Sequence, residues 1–159
     1  MDRPSFPVTR LRSSLFDGLA SGPNDEMRRM SASILVVDDE PDVPELFRER
    51  FRREARQGTY VLHFATSGEE AWEQLAGEIQ PELIVMLSEI NMPGMGGGLR
   101  LLDEIKRRRP ELPVMMVTAY GDEERRRLAS ELGAFEFIAK PIDFDRLKAQ
   151  LRQLPAAAG

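Results

Sequence analysis

Between residues 33 and 154, short apolar runs alternate five times with longer stretches of helical period, and few folds accommodate that alternation. The runs at 33–37, 60–65, 83–88, 114–118 and 135–139 are short and almost uniformly apolar, as parallel strands buried on both faces require. Helices are expected between and after them. Pro41 and Asp42 open the first, which runs to about Arg56, and Ser67 with Glu70 three residues later forms a capping box for a second near 69–77. A third covers 99–109 and stops at Pro110. Asp122 starts the fourth, with Gly133 where a left-handed terminal residue is wanted, and Asp143 starts the fifth, which reaches about Gln153. Right-handed crossovers and short links leave few arrangements besides an α/β fold with a doubly wound, five-stranded parallel sheet flanked by five helices.

In such a sheet, functional groups collect outside the carboxyl ends of the strands. Asp38, Asp39 and Glu40 follow the first run, Glu89 the third and Lys140 the fifth, while Thr118 closes the fourth. Crowded carboxylates repel one another unless a cation or hydrogen-bond donors offset the charge. Mg²⁺ suits them because it prefers oxygen ligands and pairs one or two carboxylates with a phosphate oxygen. Lys140 adds a positive charge and Thr118 a hydroxyl donor, the kinds of group a transferred phosphoryl needs around its oxygens.

A chain of 159 residues, 42% hydrophobic, fits one domain over 33–154, with an N-terminal extension at 1–32 expected to be flexible and a tail at 155–159. Apolar residues at helical spacing around Leu11, Leu15, Phe16 and Leu19 leave a partner-docking helix as the other reading of that extension. The net charge of −5 argues against a general nucleic-acid binder, and the basic runs at 107–109 and 125–127 read as solvated helix surface. Without cysteine there is no disulfide framework and no thiol nucleophile, which fits a cytoplasmic address. No apolar run approaches the roughly 20 residues of a membrane helix, so no membrane insertion is expected.

Four strings, ILVVDDEP at 34–41, INMPGM at 90–95, VTA at 117–119 and FIAKP at 137–141, fall in this order on the strand ends. Together they make the chain resemble the receiver domain of bacterial response regulators, the CheY-like, flavodoxin-like fold of two-component signal transduction. The resemblance implies a switch, not an enzyme, that takes a phosphoryl group from a sensor histidine kinase onto an aspartate with the help of Mg²⁺. It gives Asp38 and Asp39 to the metal, along with the carboxylate at position 89 and the backbone carbonyl of Asn91. Thr118 becomes the hydroxyl that moves to the phosphoryl, Phe137 the aromatic that turns with it, and Lys140 its ion-pair partner. A downstream protein target would meet the fourth helix, fifth strand and fifth helix, and a homodimer is a further option.

Two departures stand out. Glu89 occupies the place of the family's phosphoacceptor aspartate and carries its carboxylate one methylene, on the order of 1.5 Å, further out. A displacement of about 1 Å can cost about 10²-fold in rate, so phosphotransfer to Glu89 is expected to be impaired or absent. Glu89 either stands in for a phosphoaspartate by reaching toward Thr118 and Lys140, or leaves the site silent. Its single charge against roughly two for a phosphoryl limits any mimicry. Ser88 is not expected to substitute, since adjacent strand residues face opposite ways. The second departure is Gly96-Gly97-Gly98, read as a mobile loop beside the site.

Single-domain signalling by protein contact is the leading expectation, with a phosphorylation-independent interaction module as its close variant. A haloacid-dehalogenase-like phosphatase would need Asp-x-Asp followed by Thr, which Asp38-Asp39-Glu40-Pro41 does not provide. His63, within the second strand, is expected to be structural, and Trp72 to be a packing residue.

Overall fold

The computed structural model describes residues 31–94 and 97–154. Expectations for 1–30, for the 155–159 tail and for Gly96 lie outside the described residues. One sheet holds five parallel strands, β1 (Ala32–Val37), β2 (Tyr60–Ala65), β3 (Leu83–Glu89), β4 (Val114–Thr118) and β5 (Glu136–Ala139), in the order β2-β1-β3-β4-β5. Six helices accompany them among the described residues: α1 (Val43–Arg50), α2 (Arg52–Gln57), α3 (Gly68–Ala76), α4 (Gly97–Arg108), α5 (Glu123–Leu132) and α6 (Phe144–Arg152).

The sixth helix corrects the expected five. The first helical stretch is interrupted at Phe51, whose φ of −105° and ψ of 18° leave the helical region although its N–H still bonds to the Phe47 carbonyl at 2.9 Å. Phe51 is buried there, stacked on Phe47 with ring centroids 5.9 Å apart, so packing of the two rings accompanies the distortion. β5 also begins one residue later than expected, at Glu136, although the Phe135 N–H already donates to the Val114 carbonyl at 2.7 Å.

The pleat sorts side chains into two cores. Ile34, Val36, Val85, Leu87 and Val117 pack under α1 and α6 through Phe47, Phe144 and Leu147. Leu35, Val37, Met86 and Met116 pack under α3, α4 and α5 through Leu75, Leu102, Ile105 and Ala129. Helices therefore cover both faces, and the order reverses between β1 and β3, which is where a crevice opens at the strand ends.

Local chemistry sets the helix ends. Ser67 accepts from the Glu70 N–H at 3.0 Å, whereas the Glu70 carboxylate reaches past Ser67 to the Thr66 N–H at 2.6 Å. Asp143 accepts from the Arg146 N–H at 3.2 Å, and Gly133 closes α5 with a φ of 107°. His63 sets its Nε2 2.9 Å from the Ser33 hydroxyl, and burial lowers its pKa from the ordinary value.

Gly97 and Gly98 overturn the loop expected there: both belong to α4, which starts two residues earlier than the sequence suggested. Their absent side chains let the helix settle on the end of β3. A Cβ on Gly98 would strike the carbonyl oxygen of Glu89 and lie 2.9 Å from the Ile90 Cα. Gly97, at a φ of 56°, leaves room for the Met92 carbonyl.

Candidate functional site

Glu89 is the last residue of β3 and is almost fully buried. Its Oε1 forms an ion pair with the Lys140 ammonium, and its Oε2 accepts from the Asn91 N–H at 3.0 Å. Lys140 follows β5 and is anchored by its own N–H, which donates to the Thr118 carbonyl at 2.8 Å. The carboxylate is thus clasped between a lysine from one strand end and an amide from the turn that follows its own strand.

Asp38 sits one residue beyond β1 and is buried. Its Oδ1 accepts from the Glu40 N–H at 2.9 Å. Burial pushes the Asp38 carboxyl above the ordinary value; the Glu40 N–H and Lys140 pull it back, while the charges of Glu89 and Glu40 push it further. For Lys140, burial pulls downward, but the bond to Glu89 and the charges of Glu89, Asp38 and Glu40 prevail and raise it above the usual lysine value. Asp38, Glu89 and Lys140 therefore form one electrostatic unit.

The remaining expected residues lie around this unit without joining it. Asp39 is exposed and makes no hydrogen bond or ion pair among the described residues. Thr118 is buried at the end of β4, yet no hydrogen bond links it to Glu89. The register explains this: Glu89 pairs with Val117, and the pleat that turns Val117 toward one core turns Thr118 toward the other. Phe137 is half-buried against the α3–α5 core, and the Arg126 guanidinium lies 4.8 Å from its ring centre. Ser88 is buried with a hydroxyl that finds no partner among the described residues, on the face away from Glu89.

One interaction was not anticipated. The Asp122 carboxylate accepts from the Ala119 N–H at 2.8 Å and from the Asn91 side-chain amide at 2.9 Å, tying the turn after β3 to the turn after β4. Asp122 precedes α5 in the position of a capping residue, but it makes no capping bond there. Trp72 donates to Glu104 at 3.1 Å and lies under the Arg108 guanidinium, consistent with the packing role expected of it.

As oxygen donors, Asp38 and Asp39 fit a hard cation such as Mg²⁺, whose charge would offset the burial, and after it the charges of Glu89 and Glu40, that raise the Asp38 carboxyl. Glu89 fits less well, because both of its oxygens are already engaged. Among the described residues no three acidic or histidine side chains gather in a metal-holding group.

The strand order β2-β1-β3-β4-β5, with acids after β1 and a carboxylate–lysine pair bridging β3 and β5, defines a doubly wound α/β domain with a charged cluster at its strand ends. The family model for the response regulator receiver domain matches residues 34–152, and the chain belongs to that family. It is similar to the response regulator protein PilR of Pseudomonas aeruginosa, 38% identical over 117 residues, covering 72% of this chain and 24% of that protein. It is also similar to the DNA-binding transcriptional regulator NtrC of Escherichia coli, 39% identical over 116 residues, covering 73% and 23% respectively. Among solved structures, the receiver domain of NtrX from Brucella abortus superposes with a TM-score of 0.65 at 33% identity, covering 76% of this chain and 95% of that one. The chain spans about a quarter of the length of the curated relatives it matches. Receiver domains are signalling modules that interact with sensor histidine kinases, and Mg²⁺ and phosphorylation are typical of the family. Among the described residues no helix is long and apolar enough to cross a membrane.

Proposed function

We propose that this receiver, spanning 33–154, signals by protein contact with little or no phosphoryl uptake, its switch set by the Glu89–Lys140 ion pair. The observation that carries the reading is the engagement of both Glu89 oxygens, one by Lys140 and one by the Asn91 N–H. Phosphoryl transfer would form a bond from a glutamate oxygen to phosphorus while the bond to the leaving group breaks, and that oxygen must first be free and in line. Here the lysine that would neutralise an incoming phosphoryl is spent on the acceptor itself.

The same geometry bears on mimicry. Glu89 engages Lys140 and leaves Thr118 aside, so it satisfies one of the two groups that the family resemblance assigns to the phosphoryl. A partial bias toward the active surface is the result. Mg²⁺ would be held by Asp38, Asp39 and the Asn91 carbonyl, where its charge would offset the acidic pair. The partner surface is the face of α5, β5 and α6, which carries a cavity of about 310 Å³ lined by Arg126, Phe137 and Arg146. Its partners would be a sensor histidine kinase and a downstream protein, in the cytoplasm.

Incubation with Mg²⁺ and acetyl phosphate, read by intact mass, tests the reading. The chain should gain no phosphoryl group while Glu89→Asp does. Equal uptake by both would overturn it.

A further inference from the structure

A groove of about 630 Å³ runs between the α1–α2 segment and α6, and none of its lining residues belongs to the Glu89–Lys140 site or to the cavity beside Phe137. Arginines elsewhere on the described surface are mostly committed. Arg100, Arg107, Arg109 and Arg127 pair with carboxylates, and Arg48, Arg108 and Arg126 lie over aromatic rings. Along this groove the pattern changes: Arg52, Arg53, Arg56 and Arg152 are exposed, and none has a carboxylate within ion-pair distance among the described residues.

The floor beneath them is fixed. Lys148 donates to the Arg50 carbonyl at 2.6 Å, pairs with Glu54 at 3.2 Å and lies over the Phe51 ring, while Arg50 lies over Phe144. These contacts lock α2 to α6, so the four unpaired guanidiniums are presented from a rigid base. In a chain of net charge −5, a segregated set of uncompensated arginines costs repulsion that an anionic partner would relieve. Guanidinium heads suit carboxylates, which they grip with two parallel bonds.

We propose that this groove is a docking surface for an acidic segment of a partner protein, whose carboxylates are taken by Arg52, Arg53, Arg56 and Arg152. Nucleic acid fits less well on two counts. The groove's rings are capped by Lys148 and Arg50, so they offer no platform for bases. Glu49, Glu54 and Asp145 also line it, and they would repel an unbroken phosphate backbone more than an acidic peptide, whose side-chain carboxylates can reach the four arginines singly.

Fluorescence anisotropy of a labelled Glu-rich peptide with the full chain tests it, alongside a labelled single-stranded oligonucleotide of similar charge. The peptide should bind, more weakly as salt rises. Arg52→Glu/Arg56→Glu should weaken it by about tenfold or more, while Arg125→Glu, an exposed arginine outside the groove, should leave it within about twofold. Circular dichroism of each variant separates a lost surface from a lost fold. Absence of peptide binding, equal loss in Arg125→Glu, or tighter binding of the oligonucleotide would each overturn the proposal.

Discussion

Replacing Lys140 with methionine removes the cation that faces Glu89 and keeps most of the side chain's bulk. The Lys140 side chain is 34% exposed and that of Glu89 only 5%, so one end of the pair is open to water and the other is not. Breaking a fully buried pair costs about 3–5 kcal/mol and an exposed one about 0–1, so the intermediate geometry gives about 2 kcal/mol for Lys140→Met. The Asn91 N–H still bonds Glu89 at 3.0 Å in that variant, which keeps the cost below the buried limit. Glu89→Gln, which deletes the charge at nearly constant shape and turns a charge-assisted bond into an ordinary one, should cost about 1 kcal/mol, the difference between the two kinds of bond. In the double variant no carboxylate is stranded, so its cost should fall short of the summed singles by about 1–1.5 kcal/mol. Urea unfolding at pH 7, followed by far-ultraviolet circular dichroism with an unchanged m-value, reads all four corners. A Lys140→Met cost below about 0.5 kcal/mol, or strictly additive singles, would refute the claim that the pair is a coupled unit.

Gly98→Ala should destabilise by about 2–3 kcal/mol although alanine is the better helix former, because the new methyl meets immobile backbone at Glu89 and Ile90. Gly68→Ala, whose Cβ would find only the Leu101 side chain at 3.7 Å, should be neutral or stabilising by up to about 1 kcal/mol in the same urea assay. His63 provides a pH test. Its folded pKa lies below 6.5, so in that window the unfolded chain binds the extra proton and stability rises with pH up to about 6.5. His63→Asn should flatten that part of the stability profile, and an unchanged slope would contradict the assignment.

Strands were readable because a buried parallel strand has little choice but to be apolar, and β2 and β4 match their sequence limits residue for residue. Propensity misled at Gly97 and Gly98, where the deciding fact is the approach of α4 to the backbone of Glu89 and Ile90, a tertiary contact with no local signature. The site residues could be placed on strand ends from sequence, but their partnerships could not. Whether Glu89 meets Thr118 or Lys140 depends on the register of β3 against β4, and that register pairs it with Val117. The Asp122 bridge to Asn91 depends on the path of two turns, and a capping aspartate looks the same in sequence whichever way it faces. The arginine groove joins the α1–α2 segment to α6, distant stretches whose charges mean little until the fold sets them side by side.

We propose above all that Glu89 fills the phosphoryl site by holding Lys140. Titration of beryllofluoride with Mg²⁺, followed by ¹⁹F NMR on this chain and on Glu89→Asp, tests it most directly. A bound fluoride signal is expected for Glu89→Asp and none, or one at least about 10²-fold weaker in affinity, for the unaltered chain. Tight binding of equal strength in both would contradict it.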